Sequence, residues 1–230
     1  MFEAIVLAGG KGTRLKSVSG EIPKPMVPVA GKPFIYWILE KLEAEGASKV
    51  ILAVGYNADY IIDAITKDNP VGIELEFVKE EEPLGTGGAL VNAAKSISSD
   101  HFLVLNGDSF IDINFLDFFG KSLSCDVMIA GVVVTDASRY GTILVDEEDN
   151  ILSLLEKGVT GEGLINSGVY SLKKDVLQNF KSNPFSFEAE FLAVFRGSFK
   201  VCKVEGYFID IGIPDDYHRA REYFEMSQIY

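Results

Sequence analysis

Two rhythms of apolar and polar residues alternate along the first half of the chain. EAIVLAG (3–9), KVILAVGY (49–56) and HFLVLNGD (101–108) open as near-continuous apolar runs of strand length. PFIYWILEKLEAEGA (33–47), ADYIIDAITKD (58–68) and TGGALVNAAKSI (86–97) space their apolar residues at helical intervals, with Pro33 suited to a first turn and Gly46 to a stop. IELEFVKE (73–80) alternates as a strand with two unlike faces. Strands alternating with helices predict right-handed crossovers and a Rossmann-like α/β fold, a mixed, mostly parallel sheet with helices on both faces. IVLA and FLVL suit strands buried on both sides.

The second half is less regular. DVMIAGVVVT (126–135) reads as a strand, and YGTILVDEEDNILSLLEK (140–157) as a hairpin about the polar DEEDN turn. LINSGVYSL (164–172) is a strand with a central glycine, and SFEAEFLAVFR (186–196) reads as a helix. FKVCKVE and YFIDIG give two more strands, and PDDYHRAREYFEM (214–226) a closing helix, with Pro214 at its start and Asp215 and Asp216 in its first turn. With no internal repeat, low-complexity stretch or linker, residues 1–230 are expected to form one mixed α/β domain.

Composition narrows the function. A net charge of −13 argues against a basic nucleic-acid surface and against docking on anionic membranes. It leaves room for a nucleotide bound by a local cation cluster, backbone N–H groups and a carboxylate-held metal. No apolar run approaches the length of a membrane span and no signal-peptide pattern opens the chain, so a cytoplasmic protein is expected. Cys125 and Cys202 lie in apolar strand-like stretches without CxxC or histidine neighbours and read as reduced core residues.

Candidate chemistry begins at the end of the first strand. LAGGKGTRL places Gly9, Gly10 and Gly12 where ligands of open α/β sheets bind, with Lys11 and Arg14 adding positive charge. Successive N–H groups in such a turn make an anion-binding concavity, and Arg14 can grip a phosphate in a bidentate fork. The stretch matches neither the G-x-x-x-x-G-K-[ST] loop nor G-x-G-x-x-G, so taken alone it is also compatible with a glycine-rich surface turn. IPKP then brackets Lys24 between prolines in a segment expected to be extended, from which a lysine reaches a phosphate with little entropy loss.

LAGGKGTRL, IPKPMVPVAGKP, EPLGTGGAL, LNGDS, EK, NSGVY and IDIGIPDDY occur in that order over nearly the whole chain. Together they resemble the sugar-1-phosphate nucleotidyltransferases, the nucleotide-sugar pyrophosphorylases. EPLGTGGAL, RYGT, SFEAEFL and YFIDIGIPDDY carry a closer likeness to small bacterial heptose-1-phosphate guanylyltransferases of surface-polysaccharide synthesis. Mannose-1-phosphate guanylyltransferases and muramate-phosphate uridylyltransferases share many of the same segments. The resemblance implies the nucleotide-diphospho-sugar transferase fold, with a nucleotide-binding half over about 1–110 and a sugar-phosphate half over about 111–230. It implies NTP, with GTP favoured, and a sugar 1-phosphate as substrates, pyrophosphate as leaving group and Mg²⁺ as cofactor. A homo-oligomer is left open.

By the same resemblance Lys11, Arg14 and Lys24 would be catalytic cations, offsetting charge on the phosphates. Leu7, Ala8, Gly9, Gly10, Gly12, Thr13, Asn106 and Gly107 would line the nucleotide, while Glu80, Pro83, Gly85, Thr86 and Gly87 would cradle the base. Gly85, Gly87 and Gly88 would let the chain run flat beside the ring. A carboxylate can accept from both N1–H and N2–H of guanine, which tilts Glu80 toward that base, although Glu81 or Glu82 could be the residue that turns inward. Asp108 and Asp210, delivered to one sheet edge, suit a Mg²⁺ site completed by phosphate oxygens and water. Glu156, Lys157, Asn166 and Gly168 would meet the sugar phosphate, with Arg139, Tyr140 and Gly141 nearby. His101 and His218 match none of these motifs. A nucleophile that is already an anion needs positioning and charge neutralisation rather than a strong base.

Two other classes are weighed against this reading. A catalytically silent regulatory relative would be expected to have lost the charged residues that this chain keeps. A glycosyltransferase would carry a D-x-D motif, whereas the local sequence is DSFID.

Overall fold

The computed structural model describes residues 1–10, 15, 20–181 and 183–227. β1 (Phe2–Leu7) is followed by a two-residue ladder of β2 (Pro28–Val29) with β3 (Lys32–Pro33). α1 (Phe34–Ala44), β4 (Ala47–Val54), α2 (Ala58–Lys67), β5 (Glu74–Lys79), α3 (Gly85–Ala93) and β6 (His101–Asn106) complete the alternating half. Then come β7 (Ser109–Ile111), α4 (Phe115–Ser122), β8 (Val127–Val134), the hairpin β9 (Thr142–Val145) and β10 (Ile151–Leu155), and the long β11 (Gly163–Lys173). β12 (Phe199–Lys203), β13 (Phe208–Asp210) and α5 (Pro214–Ser227) close the chain.

Among the described residues, nine strands share one sheet whose path runs β10-β9-β11-β6-β1-β4-β5, with β8 paired to β11 and β12 to β8. β1 pairs in parallel with β4 and β6, and β4 with β5. β11 joins antiparallel to β6, β8 and β9, so the second half is sewn to the first along one strand. The central strands are apolar on both sides because both faces are covered. Ala4, Val6, Leu103 and Leu105 point into one core, and Ile5, Phe102 and Val104 into the other. No helix among the described residues is long and apolar enough to cross a membrane.

Local signals hold where they rest on backbone chemistry. Gly46, at φ +90°, ends α1, and its N–H donates to the Glu43 carbonyl. The DEEDN turn carries Asp149 at φ +61°, and Asp146 Oδ1 accepts from the N–H groups of Glu148 and Asn150.

Three expectations are corrected. Residues 186–196 do not form a regular helix: a π-turn spans Phe187–Phe191 and a 3₁₀ turn Leu192–Val194. Burial decides this, since the wider turn stacks the Phe187 and Phe191 rings 5.3 Å apart and turns Phe191 onto Phe180. Lys24 is not extended. It opens a 3₁₀ turn, Lys24–Met26, with the Met26 N–H donating to Pro23, since the proline rings fix φ at a value that such a turn also uses. Cys125 is buried as expected, but Cys202 is only half-buried; both are free thiols.

Candidate active site

The carboxyl ends of the parallel strands open into a cleft of about 510 Å³, within the range that holds small ligands. Leu7, Gly9 and Gly10 enter it after β1, Gly55 and Tyr56 after β4, and Glu80 to Pro83 after β5. Gly85, Thr86 and Ala89 of α3, Asn106 and Asp108 after β6, and Phe187 and Glu188 of the π-turn close the wall. Ala8 is buried beneath this floor, with its N–H donating to Ala53. Gly107 crosses it so closely that a Cβ there would lie 2.8 Å from the Leu7 carbonyl oxygen. Lys11, Gly12, Thr13 and Arg14 lie outside the described residues; Leu15 beyond them is fully buried.

Glu80 is the member of the acidic triplet that turns inward. Its Oε2 accepts the Leu84 N–H at 2.9 Å, and Oε1 stands 2.9 Å from where a Cβ on Gly9 would be. Glu81 and Glu82 line the same mouth but stay exposed. Burial raises the Glu80 pKa above its ordinary value, partly opposed by the Leu84 N–H.

The glycines after Glu80 serve a purpose the sequence did not reveal. Gly85 starts α3 at φ +66°, and a Cβ there would meet the Phe185 carbonyl oxygen at 2.5 Å. A Cβ on Gly87 would enter the Phe185 ring, and one on Gly88 would strike the Asn183 carbonyl. The Gly87 N–H donates to Phe185, and Thr86 Oγ1 accepts from the Phe187 N–H. Bare backbone here seats the segment leading into the π-turn, in addition to bordering the cleft.

Asp108 and Asp210 are brought together by the β7–β13 ladder. Asp210 is registered with Ser109, and the Ile211 N–H donates to the Asp108 carbonyl. Their side chains converge on one buried ammonium: Lys24 Nζ lies 2.7 Å from Asp108 Oδ2 and 3.0 Å from Asp210 Oδ1. Lys24 fills the point between them, and each carboxylate keeps a second hard oxygen, Asp108 Oδ1 and Asp210 Oδ2, that accepts from none of the described residues. That fits Mg²⁺, which takes one or two carboxylates and completes its shell with phosphate oxygens and water. Among the described residues, no cluster of three or more His, Cys, Asp or Glu offers a protein-only cage. His101 sits by the Cys125 carbonyl and His218 against Tyr217, both apart from this pair.

Beyond the aspartates, Asn166 on β11 receives its own backbone contact from Gly141, whose carbonyl accepts the Asn166 N–H at 3.2 Å. Gly168 takes φ +78° in a register shift of β11 against β8, with its N–H on Asn166 Oδ1. Tyr140 packs edge-on against Phe208, and Arg139 is held by the buried Asp216. Burial raises the pKa of the Tyr140 phenol. Glu156 and Lys157 stand exposed past the end of β10, whose last residue pairs with Thr142 beside Gly141; they do not line the cleft. Gly55, Tyr56, Phe187 and Glu188 were missed by the sequence reading. VGY at the end of a parallel strand was a usable signal for the first two. For the others the signal was the SFEAEFL likeness, which pointed to no particular residue because the segment reads as an ordinary helix.

A family profile described as Nucleotidyl transferase matches residues 3–227. The chain belongs to the nucleotidyl transferase family. This nucleotidyl transferase is 43% identical over 219 residues to the D-glycero-alpha-D-manno-heptose 1-phosphate guanylyltransferase of Campylobacter jejuni, covering 94% of this chain and 97% of that one. A protein of the same name from Aneurinibacillus thermoaerophilus is 37% identical, with 96% and 97% covered. The crystal structure of HddC from Yersinia pseudotuberculosis superposes with a TM-score of 0.92 at 50% identity, over 97% of this chain and all of that one. That protein has also been solved complexed with GMP-PN. For a nucleotidyl transferase, strand order becomes a map: Glu80 follows β5, Gly9 follows β1, Asp108 follows β6, and Asn166 lies on β11.

Proposed function

We propose that this nucleotidyl transferase joins GTP and D-glycero-α-D-manno-heptose 1-phosphate, giving GDP-heptose and pyrophosphate, with Mg²⁺ held by Asp108 and Asp210. A phosphate oxygen of the sugar 1-phosphate bonds to the α-phosphorus of GTP, and the bond from that phosphorus to pyrophosphate breaks. The nucleophile is already an anion, so the reaction needs alignment and cancellation of charge more than proton abstraction. When bound, Mg²⁺ supplies positive charge to the phosphate oxygens around the reacting phosphorus. Lys24, within hydrogen-bond reach of both aspartates, adds its ammonium to the same meeting point. The order of groups along the sheet supports the reading: an inward carboxylate, Glu80, after β5, Gly9 and Gly10 after β1, Asp108 after β6 and Asn166 on β11. The guanylyl and heptose choices rest on the two similar guanylyltransferases and on an inward glutamate.

The test crosses GTP, UTP, dTTP, CTP and ATP with mannose, glucose and D-glycero-D-manno-heptose 1-phosphates and follows pyrophosphate. Release with GTP and the heptose phosphate is expected. Release with another pair keeps nucleotidyl transfer and overturns this choice of substrates. A glycosyltransferase, which takes its sugar from a nucleotide-sugar and releases the nucleotide, would release no pyrophosphate in any well.

Glu80→Gln tests the base reading. Gln keeps an acceptor for Leu84 but cannot take both guanine N–H groups as a carboxylate does. The preference for GTP over UTP is expected to fall about 10- to 100-fold, the scale of hydrogen bonds to a charged group. A folded-state pKa raised by burial favours folding below the unfolded value and loses that contribution as pH rises through the folded one. The carboxylate therefore costs stability at neutral pH, and Glu80→Gln is expected to melt no lower than wild type at pH 7. The KM for GTP should climb as the medium is acidified toward the raised Glu80 pKa, a limb missing in the Gln variant. Identical pH profiles for the two proteins would remove Glu80 from base recognition.

A further inference from the structure

Glu188 lies in SFEAEFL, a segment of the closer likeness in which no residue was given a role, and it lines the cleft wall with Asn106 and Asp108. Its surroundings are built rather than incidental. Tyr170, fully buried on β11, donates its hydroxyl to Glu188 Oε1, and Asn166 Nδ2 donates to the same oxygen at 3.3 Å. Asn166 Nδ2 also donates to the Tyr170 hydroxyl at 2.8 Å, which closes a three-membered network. Both bonds to Glu188 end on Oε1, and Oε2 accepts none from the described residues. The backbone beneath is fixed as well. The π-turn is opened by Ser186, whose hydroxyl accepts the Ala189 N–H, and its Phe187 and Phe191 rings are buried. The preceding residues are pressed onto the glycines at the start of α3. Glu188 is exposed, yet a carboxylate with no partner to meet would need none of this bracing. A carboxylate presented with one oxygen pinned and one open is arranged to receive hydroxyl hydrogens.

Strand order says whose hydroxyls these are. Glu80 follows β5, whereas Tyr170 and Asn166 lie on β11, four interstrand steps away. At about 4.8 Å per step those two strands run about 19 Å apart. Asp108, after β6, stands between them. With the base at Glu80 and the phosphates at the aspartates, a group bonded to β11 lies on the far side of the reacting phosphorus, where the sugar of the sugar 1-phosphate sits.

We propose that Glu188 is a specificity-determining ligand of the sugar 1-phosphate, accepting hydrogen bonds from sugar hydroxyls through Oε2 while Tyr170 and Asn166 hold Oε1. The proposal rests on the function proposed above. Tyr170 is a positioning residue in this arrangement, and Glu188 the one that touches substrate. A purely structural Glu188, present only to satisfy the buried Tyr170 hydroxyl, predicts different kinetics, because Gln would satisfy that hydroxyl equally well.

The experiment measures kcat and KM for each substrate of the full chain, using wild type, Glu188→Gln, Glu188→Ala and Tyr170→Phe, with melting curves as a check on folding. Heptose 1-phosphate is varied at saturating GTP and GTP at saturating heptose 1-phosphate; mannose 1-phosphate is run as the shorter analogue. Glu188→Gln is expected to lower kcat/KM for the heptose phosphate about 10- to 100-fold, the effect of losing hydrogen bonds to a charged acceptor. The KM for GTP should stay within about twofold, and the heptose-to-mannose preference should change. Tyr170→Phe, which leaves Oε1 with Asn166 alone, is expected to give a smaller loss confined to the sugar phosphate. An unchanged sugar-phosphate KM in Glu188→Gln overturns the proposal, as does an equal rise in both KM values, which would mark a ribose contact or a general distortion. If wild type releases pyrophosphate only with a different sugar phosphate, the substrate reading fails while the Glu188 comparison runs with that sugar. Silence of wild type with every pair overturns both together.

Discussion

Asp108→Asn is expected to lower turnover by about a hundredfold or more while leaving the protein folded, in line with removal of a group that stabilises developing charge. The argument is electrostatic. Asp108 Oδ2 and Asp210 Oδ1 lie 2.7 and 3.0 Å from the same ammonium, so each supplies about half of the negative charge at that point. Asparagine keeps the shape and one oxygen but removes a formal charge from the pair proposed to hold Mg²⁺. The Mg²⁺ concentration for half-maximal rate should rise with the fall in kcat, whereas the KM for GTP in excess metal should move little. Stability should hardly change, because Lys24 retains Asp210 and two facing carboxylates no longer repel one another. Titrating pyrophosphate release with Mg²⁺ decides the matter; an unchanged titration would remove Asp108 from the metal site.

Gly168→Ala is the second large effect, and it is expected in stability and activity together. The residue sits at φ +78°, where an L side chain is strained, and its Cβ would stand 2.7 Å from Asn106 Nδ2 and 2.8 Å from Ser109 Oγ. Left-handed backbone costs about 1–2 kcal/mol and overpacking about 1–3 kcal/mol, so a loss of roughly 2–5 kcal/mol is expected. For a chain of this length that is a fall in Tm of roughly 4–20 °C. The atoms that must yield border the site: Asn106 lines the cleft, and Ser109 follows Asp108. Relief of the clash should therefore also lower kcat in the surviving folded enzyme. Calorimetry alongside pyrophosphate release checks both, and a variant that melts like wild type would show that β11 can re-route at no cost.

The parts of the fold legible in the sequence are those governed by short-range rules. Continuous apolar runs gave the parallel strands because both faces of β1, β4 and β6 are covered. Gly46 and the DEEDN turn announced themselves through backbone conformations that few residues tolerate. The Asp108 and Asp210 pairing was legible only through resemblance, since nothing local connects residues about a hundred apart until β7 and β13 align them. Residues 186–196 misled because helical spacing of Phe187 and Phe191 describes a π-turn nearly as well as an α-helix, and aromatic packing chose between them. Glu80, Glu81 and Glu82 were indistinguishable by type, and the Leu84 N–H and the approach to Gly9 single out the first. Lys24 was singled out for its bracketing prolines, which do fix its place, though in a tight turn rather than an extended run.

The seating of Phe185 and Asn183 on Gly85, Gly87 and Gly88 has an evolutionary consequence. The loop that borders the base and the turn that presents Glu188 share one surface without side-chain slack, so neither can drift alone. Substitutions in one should show energetic coupling to substitutions in the other despite their separation of about a hundred positions. Divergence toward a new sugar would then be inherited in blocks, with residues 83–88 and 183–188 exchanged between relatives as a set, and single-segment chimaeras carrying the penalty of a mismatched seam.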